Sequence, residues 1–376
     1  MIYFDNASTT RCSEQAAEIL IKYSSELYFN PSSAYPEGIS VKNDLERARS
    51  RILRALRAPE GKLVFTSSGT ESDNMALFGT RKPNGSRVII SAAEHAAIYN
   101  SAMELKKRGY DVRLCPVDIG GKVDYEAFCG LLTPDTSLVS IIHANNETGG
   151  INDIKALCAA AKRVNPDVIF HSDGVQAFGK IEVDLTDSGI DLYSISGHKI
   201  NAPKGVAALY IRKGLNISPI IFGGGQENGL RSSTENTGAV VAFAEMAAYF
   251  AENRKKLTEN AATIKNKIAS ALSEIEEIKF VSGTDSSDYI LTFSSSKVRG
   301  EVMQHALERL GILIGTGSAC SSTRASKRVA EAIGLKDKYL DGVMRISFGI
   351  YNTPEEADEF IKAFFTKYKE LSVYGS

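Results

Sequence analysis

Apolar residues in the first 212 positions come in short β-branched and aromatic runs, each ending in small or polar residues and separated by longer amphipathic stretches. The runs at 63–65, 87–91, 137–143, 167–172, 191–195 and 205–212 read as strands. Helical periodicity fills the gaps, as at 39–56, where charges alternate around a spaced apolar face. Strands alternating with helices from about residue 60 to 212 predict an α/β fold with a mainly parallel central sheet sandwiched by helices. A glycine-rich polar loop follows at 222–236. A helical pattern then runs over 237–278, turning from apolar to charged near Glu252, with a break expected near Leu257 and an exposed second half. Strands near 289–293, 312–314 and 344–348, with helices near 301–310, 325–333 and 354–371, predict a smaller α+β domain. The expected division is 14–255 for the large domain, with 1–13 and 256–376 forming the small one.

Composition narrows the function classes. A net charge of −1 offers no basic stripe for nucleic acid and no acidic tail. No apolar run is long enough to span a bilayer, and the first residues do not resemble a signal peptide. The five cysteines are widely spaced, with no C-x-x-C pair, which argues against a disulfide framework or a zinc site and for a reducing cytoplasm. Cys12, Cys115, Cys129 and Cys158 read as small buried residues in helical or strand-like surroundings. Cys320 differs, because the small-residue loop at 315–323 leaves it exposed and free to reach a site.

The candidate chemistry sits where strands end. Lys199 lies in Ser196-Gly197-His198-Lys199, just past a strand's carboxyl end, where open α/β sheets bind ligands. An amine held there can form a Schiff base with a carbonyl, including that of pyridoxal phosphate (PLP). Small residues at 66–74 turn from strand to helix near Gly69 and Thr70, which reads as a phosphate cradle or as a plain capped turn. His95 follows the next strand and could stack on an aromatic cofactor or move protons. Asp173 suits a protonated pyridine nitrogen, or the N-cap of a helix; Gln176, one helical turn on, could reach a neighbouring ring substituent. Arg345, a charge inside a strand, needs a carboxylate from the protein or from a substrate. His143, His171 and His305 read as structural.

Taken together, DNASTT (5–10), NPSS (30–33), FTSSGTESDN (65–74), Glu94-His95, NNETG (145–149), DGVQ (173–176), SGHK (196–199), the 223–236 loop, GSACSS (317–322) and RIS (345–347) resemble the cysteine desulfurases. Specifically, the chain is similar to the NifS/IscS-like group of the class V, fold type I PLP-dependent transferases. The resemblance implies that Lys199 holds PLP and acts as the base, Asp173 pairs with its pyridine nitrogen, Gln176 bonds its phenolic oxygen and His95 stacks on the ring. It implies that Gly69, Thr70, Ser196 and His198 hold the phosphate, joined by Thr234 from the other subunit of a homodimer. Asn146 and Arg345 would bind the substrate carboxylate. Cys320 would take sulfur from L-cysteine as a persulfide, releasing L-alanine, for an acceptor in iron–sulfur cluster assembly or tRNA and cofactor thiolation. Tyr35, Asn228 and Ser233 depart from the group's usual histidine, arginine and glycine. Other class V activities would use the same site without Cys320.

Overall fold

The computed structural model describes residues 1–186, 188–316 and 327–373. After a short first strand, β1 (Ile2–Phe4), the chain builds a seven-stranded sheet. Its strands are β2 (Lys62–Thr66), β3 (Arg87–Ser91), β4 (Asp111–Cys115), β5 (Thr136–Ser140), β6 (Ile169–Asp173), β7 (Leu192–Ser196) and β8 (Ala207–Ile211). They lie in the order β2-β8-β7-β6-β5-β3-β4, and only β8 runs against the rest. The carboxyl ends of β2, β3, β5, β6 and β7 therefore open on one edge, as the alternating pattern predicts. Apolar cores cover both faces of this sheet. That is why β7 and β8, buried along their whole length, read as continuous apolar runs. β4 lies at the sheet edge with Arg113 and Leu114 exposed, so its pattern carries no strand signal.

Three expectations change. The regular ladder of β5 stops at Ser140, although Ile141 and His143 N–H groups still donate to His171 and Asp173 carbonyls of the neighbouring chain segment. Asp173 caps no helix. It closes β6, and its Oδ1 accepts from Val175 N at 2.9 Å within a turn. The helix Thr237–Leu272 is one unbroken element of 36 residues, with no break near Leu257. Its first half packs on the large-sheet core, while Ala261, Ile264, Ile268 and Leu272 of the second half are buried in another core rather than exposed.

That second core belongs to β9 (Ile278–Phe280), β10 (Ile290–Ser295), β11 (Ile312–Ile314) and β12 (Val343–Ser347). β12, β10 and β9 form an antiparallel sheet, and β11 pairs in parallel with β1. Ile2 and Phe4 thus share a core with Phe293, Met344 and Phe360, although they begin the chain. β9, too short and only half-buried, has no strand signature in the sequence. Of the helix expected at 325–333, the described part is Arg328–Ala332. Cys115 and Cys158 are buried; Cys12 and Cys129 are half-buried, and Cys12 lies in coil rather than in a helix or strand.

The loop before the long helix holds Ser233 at φ +132°. Side chains rarely adopt that conformation, at a cost on the order of 1–3 kcal/mol. Ser233→Gly is expected to stabilise the protein by about 1 kcal/mol, after glycine's greater unfolded-state entropy is subtracted. A rise in the urea midpoint at unchanged slope would register it; a fall would show that the serine side chain contributes more than the strain costs.

Candidate active site

The site is assembled by turns at strand ends and by the chain's own first residues. After β2, Ser68 caps the helix Gly69–Gly79, its Oγ accepting from Glu71 N at 3.1 Å. A Cβ on Gly69 would come within 2.9 Å of Val175 Cγ2, so glycine lets this helix start lie against the turn after β6. The first N–H groups of such a helix have no partner within it and carry the positive end of its dipole. Ser196 closes β7, and its buried Oγ has no hydrogen-bond partner among the described residues. Gly197–Lys199 is a single 3₁₀ turn. His198 Nδ1 lies 3.1 Å from Thr9 Oγ1, and burial, helped by Lys199, Lys204 and Lys180, lowers its pKa to about 4. Its imidazole is neutral at physiological pH and offers an N–H without a charge.

Lys199 Nζ donates to the carbonyls of Ala7 at 2.5 Å and Ser8 at 2.7 Å. Burial and then the nearby Arg345 cation lower this amine to about 8, with Asp173 and Asp5 opposing. Arg345 stands on β12 and is only 7% exposed. Its Nη1 donates to the Asn146 carbonyl at 2.8 Å, and its Nη2 donates to Asp5 Oδ1 at 2.8 Å and Ser8 Oγ at 2.7 Å. The protein's own Asp5 is therefore one partner of this charge, while the buried Nε has none among the described residues.

On the other side, Asp173 is buried, and desolvation raises its pKa against the pull of His95 and Lys199. His95 is open to the cleft; its Nδ1 accepts from Ala97 N at 3.2 Å, starting the helix Ala96–Lys107. Desolvation lowers its imidazole pKa, and Lys199 and Arg328 add to that effect. Asp73 completes the group: polar atoms of Asp73, His95 and Asp173 lie within 4.8 Å of one another. Burial, then Asp173, raises the Asp73 carboxyl well above its usual range, and its Oδ1 has no hydrogen-bond partner among the described residues. Glu94, just before His95, is held by Ile142 N at 2.8 Å and pushed up to about 8 by burial.

These groups line one cleft of about 400 Å³. Gly69, Thr70, His95, Asn146, Asp173, Gln176, Ser196, His198, Lys199 and Arg345 all face it. Thr234 does not; it lines a separate recess with Ser67, Glu227 and Arg231. Cys320 lies outside the described residues. Sequence reasoning assigns nothing to Asp73, or to the carbonyls of Ala7 and Ser8. Asp73 sits four residues after Gly69, hence on the same helix face as the predicted cradle, a signal that the sequence does carry. The carbonyls leave none.

The remaining histidines, read from the sequence as structural, do not line the cleft. His143 Nδ1 bonds Tyr193 OH at 2.7 Å, and His305 is exposed beside Glu308. His171 is held between Ser140 and Ser194 hydroxyls, and burial lowers its pKa to about 3. A pKa depressed on folding contributes stability above the unfolded value near 6.5 and loses it as pH falls towards the folded value. His171→Asn is expected to remove acid sensitivity on the order of 4 kcal/mol between about pH 6.5 and 3. Urea midpoints at pH 7 and pH 4.5 would read it; an unchanged pH slope in the variant would contradict it.

The class-V aminotransferase family matches residues 2–360. A cysteine desulfurase, IscS 1, of Archaeoglobus fulgidus is 37% identical over 96% of this chain and 95% of its own. The solved structure of a NifS-like protein superposes with TM-score 0.91 at 34% identity, covering 98% of this chain and all of its own. A structure described as SspA in complex with cysteine has TM-score 0.80 at 28% identity, over 94% of this chain and all of its own. With the strand-end cleft and full-length matches of this kind, the chain belongs to the class-V aminotransferase family, among its NifS/IscS cysteine desulfurases.

Proposed function

We propose that the protein is a PLP-dependent cysteine desulfurase that converts L-cysteine to L-alanine and passes the sulfur to Cys320 for delivery to an acceptor. The observation that carries this reading is the convergence of Lys199, Asp173, His95 and Arg345 on one cleft beside the Gly69 helix start. The residues fit the cofactor. The unpartnered, buried Ser196 hydroxyl, the helix start with Thr70 and the neutral His198 suit its phosphate. A carboxyl buried like Asp173 is stabilised by a cation, and a protonated pyridine nitrogen supplies one. Bound PLP withdraws electrons from the substrate's α-carbon.

Lys199 Nζ, with its pKa near 8, keeps a useful neutral fraction at pH 7 and moves the proton at that carbon. His95 spends Nδ1 on Ala97, which leaves Nε2 for proton transfer. Arg345, which lines the cleft, would bind the substrate carboxylate, with Asn146 alongside and Asp5 holding the guanidinium in place. The Cys320 thiolate attacks the substrate sulfur. The carbon–sulfur bond breaks, a persulfide forms on Cys320, and the carbon keeps the bonding pair and takes a proton to give alanine.

The same reading makes the enzyme a cytoplasmic homodimer with its phosphate site completed by Thr234 of the partner subunit. In support, Thr234 is exposed and lines a recess other than its own chain's cleft. The two apolar cores support the division into 14–255 and 1–13 with 256–376. No helix among the described residues is long and apolar enough to cross a membrane. The acceptor is an iron–sulfur scaffold or a thiolation enzyme. Absorbance before and after L-cysteine, with alanine and sulfide assayed, tests the reading. A band near roughly 400 nm that changes as alanine appears supports it. A band without alanine points to another class V activity, and no band after PLP is added overturns the enzyme reading.

A further inference from the structure

Lys180 lies in the turn leaving β6, four residues after Gln176, and is only 4% exposed. It has no carboxylate partner among the described residues. Its Nζ donates to Gln176 Oε1 at 3.0 Å and lies 5.7 Å from the centre of the Tyr289 ring. Its carbonyl accepts from Thr258 Oγ1 at 3.3 Å, on the long helix. A buried lysine without a counter-ion is costly to maintain, and its single side-chain hydrogen bond goes to a residue that lines the cleft.

That bond and one to Ala7 together fix which way the Gln176 amide faces. Gln176 Nε2 donates to the Ala7 carbonyl at 2.8 Å. Reversing the amide would set its oxygen against the Ala7 carbonyl oxygen and its NH₂ against the Lys180 amine, two mismatches in a desolvated place. The same Ala7 carbonyl accepts from Lys199 Nζ, so Lys180, Gln176, Ala7 and Lys199 form one connected chain of polar groups. We propose that Lys180 is a positioning residue that locks the Gln176 amide so that an N–H, not the oxygen, faces the cofactor's phenolic oxygen. The inference rests on the PLP reading above. Burial lowers Lys180 to about 7, and both its protonation states carry an N–H for Gln176.

Lys180→Met keeps the length and apolar stem of the side chain while removing the donor. An amide oriented by the Ala7 carbonyl alone presents its N–H to the cofactor less of the time, so the holoenzyme is expected to lose part of its absorbance near roughly 400 nm to shorter wavelengths. Gln176→Ala should move the spectrum the same way, and the double variant no further than Gln176→Ala alone. Urea midpoints of the apoproteins, measured alongside, separate this from misfolding, because a purely structural role would lower the midpoint without redistributing the band. An unchanged band in Lys180→Met, or effects of the two substitutions that add, overturns the proposal. Absence of any visible band in the wild-type protein given PLP would instead overturn the functional reading beneath it.

Discussion

Lys199→Ala is expected to lower L-cysteine turnover by at least about 10³-fold, because on the proposed reading it removes both the cofactor's covalent anchor and the base. The magnitude follows from the amine's surroundings. At an ordinary pKa near 10.5, roughly one lysine in 3,000 is neutral at pH 7; at about 8, roughly one in ten is. Burial and the Arg345 cation thus enrich the reactive form by a factor of a few hundred, and a substituted site loses all of it. Lys199→Arg should be as inactive, since it keeps the charge but does not deprotonate in this range. In both variants PLP is expected to bind still, more weakly and without the covalent link, through Ser196, His198 and the Gly69 helix start. Dialysis followed by the visible spectrum would check that. Residual turnover within tenfold of wild type would remove Lys199 from the centre of the mechanism.

Cys320→Ala should lose alanine and sulfide production by at least roughly 10³-fold while leaving the cofactor spectrum intact. The distinction is chemical. On the proposed reading Lys199, His95, Asp173 and Arg345 would labilise a proton on any amino acid bound to PLP, but breaking the carbon–sulfur bond towards a persulfide needs a second sulfur. In the variant, adding L-cysteine should still perturb the visible band, because binding and proton transfer survive. Full turnover in Cys320→Ala would make the protein a lyase that releases sulfur directly.

The strand-end residues are legible in the sequence because each follows an apolar run with a clear end. β2, β3, β6 and β7 are buried strands, and the small polar residues after them could hardly be anything but turns on one sheet edge. Less legible are elements whose side chains carry little apolar signal, such as β4 with its exposed Arg113 and Leu114 and the three-residue β9. The helix Thr237–Leu272 misleads for the opposite reason. Its charged second half reads as exposed, yet its inner face buries Ile264 and Ile268 against strands distant in sequence. Within the site, side chains at Lys199, Asp173 and His95 announce themselves by residue type and position. Backbone carbonyls do not, and the Ala7 oxygen, which joins Lys199 to Gln176, has no counterpart in any residue type.

Arg345 reaches Asp5 and Ser8 across more than 330 positions of sequence, and Asn6 Nδ2 donates to the Ser347 carbonyl 341 residues away. The segment 5–8 and the strand β12 are therefore joined only by contacts of very long sequence separation. Contacts of such separation carry a large loop-closure entropy cost. From the large-sheet side, Lys199 and Gln176 hold the Ala7 carbonyl and Lys199 that of Ser8, so the segment 5–8 is tied to both halves of the fold. The segment 5–8 is thereby a clasp between the two cores, and loosening it would disturb Lys199 and Arg345 together.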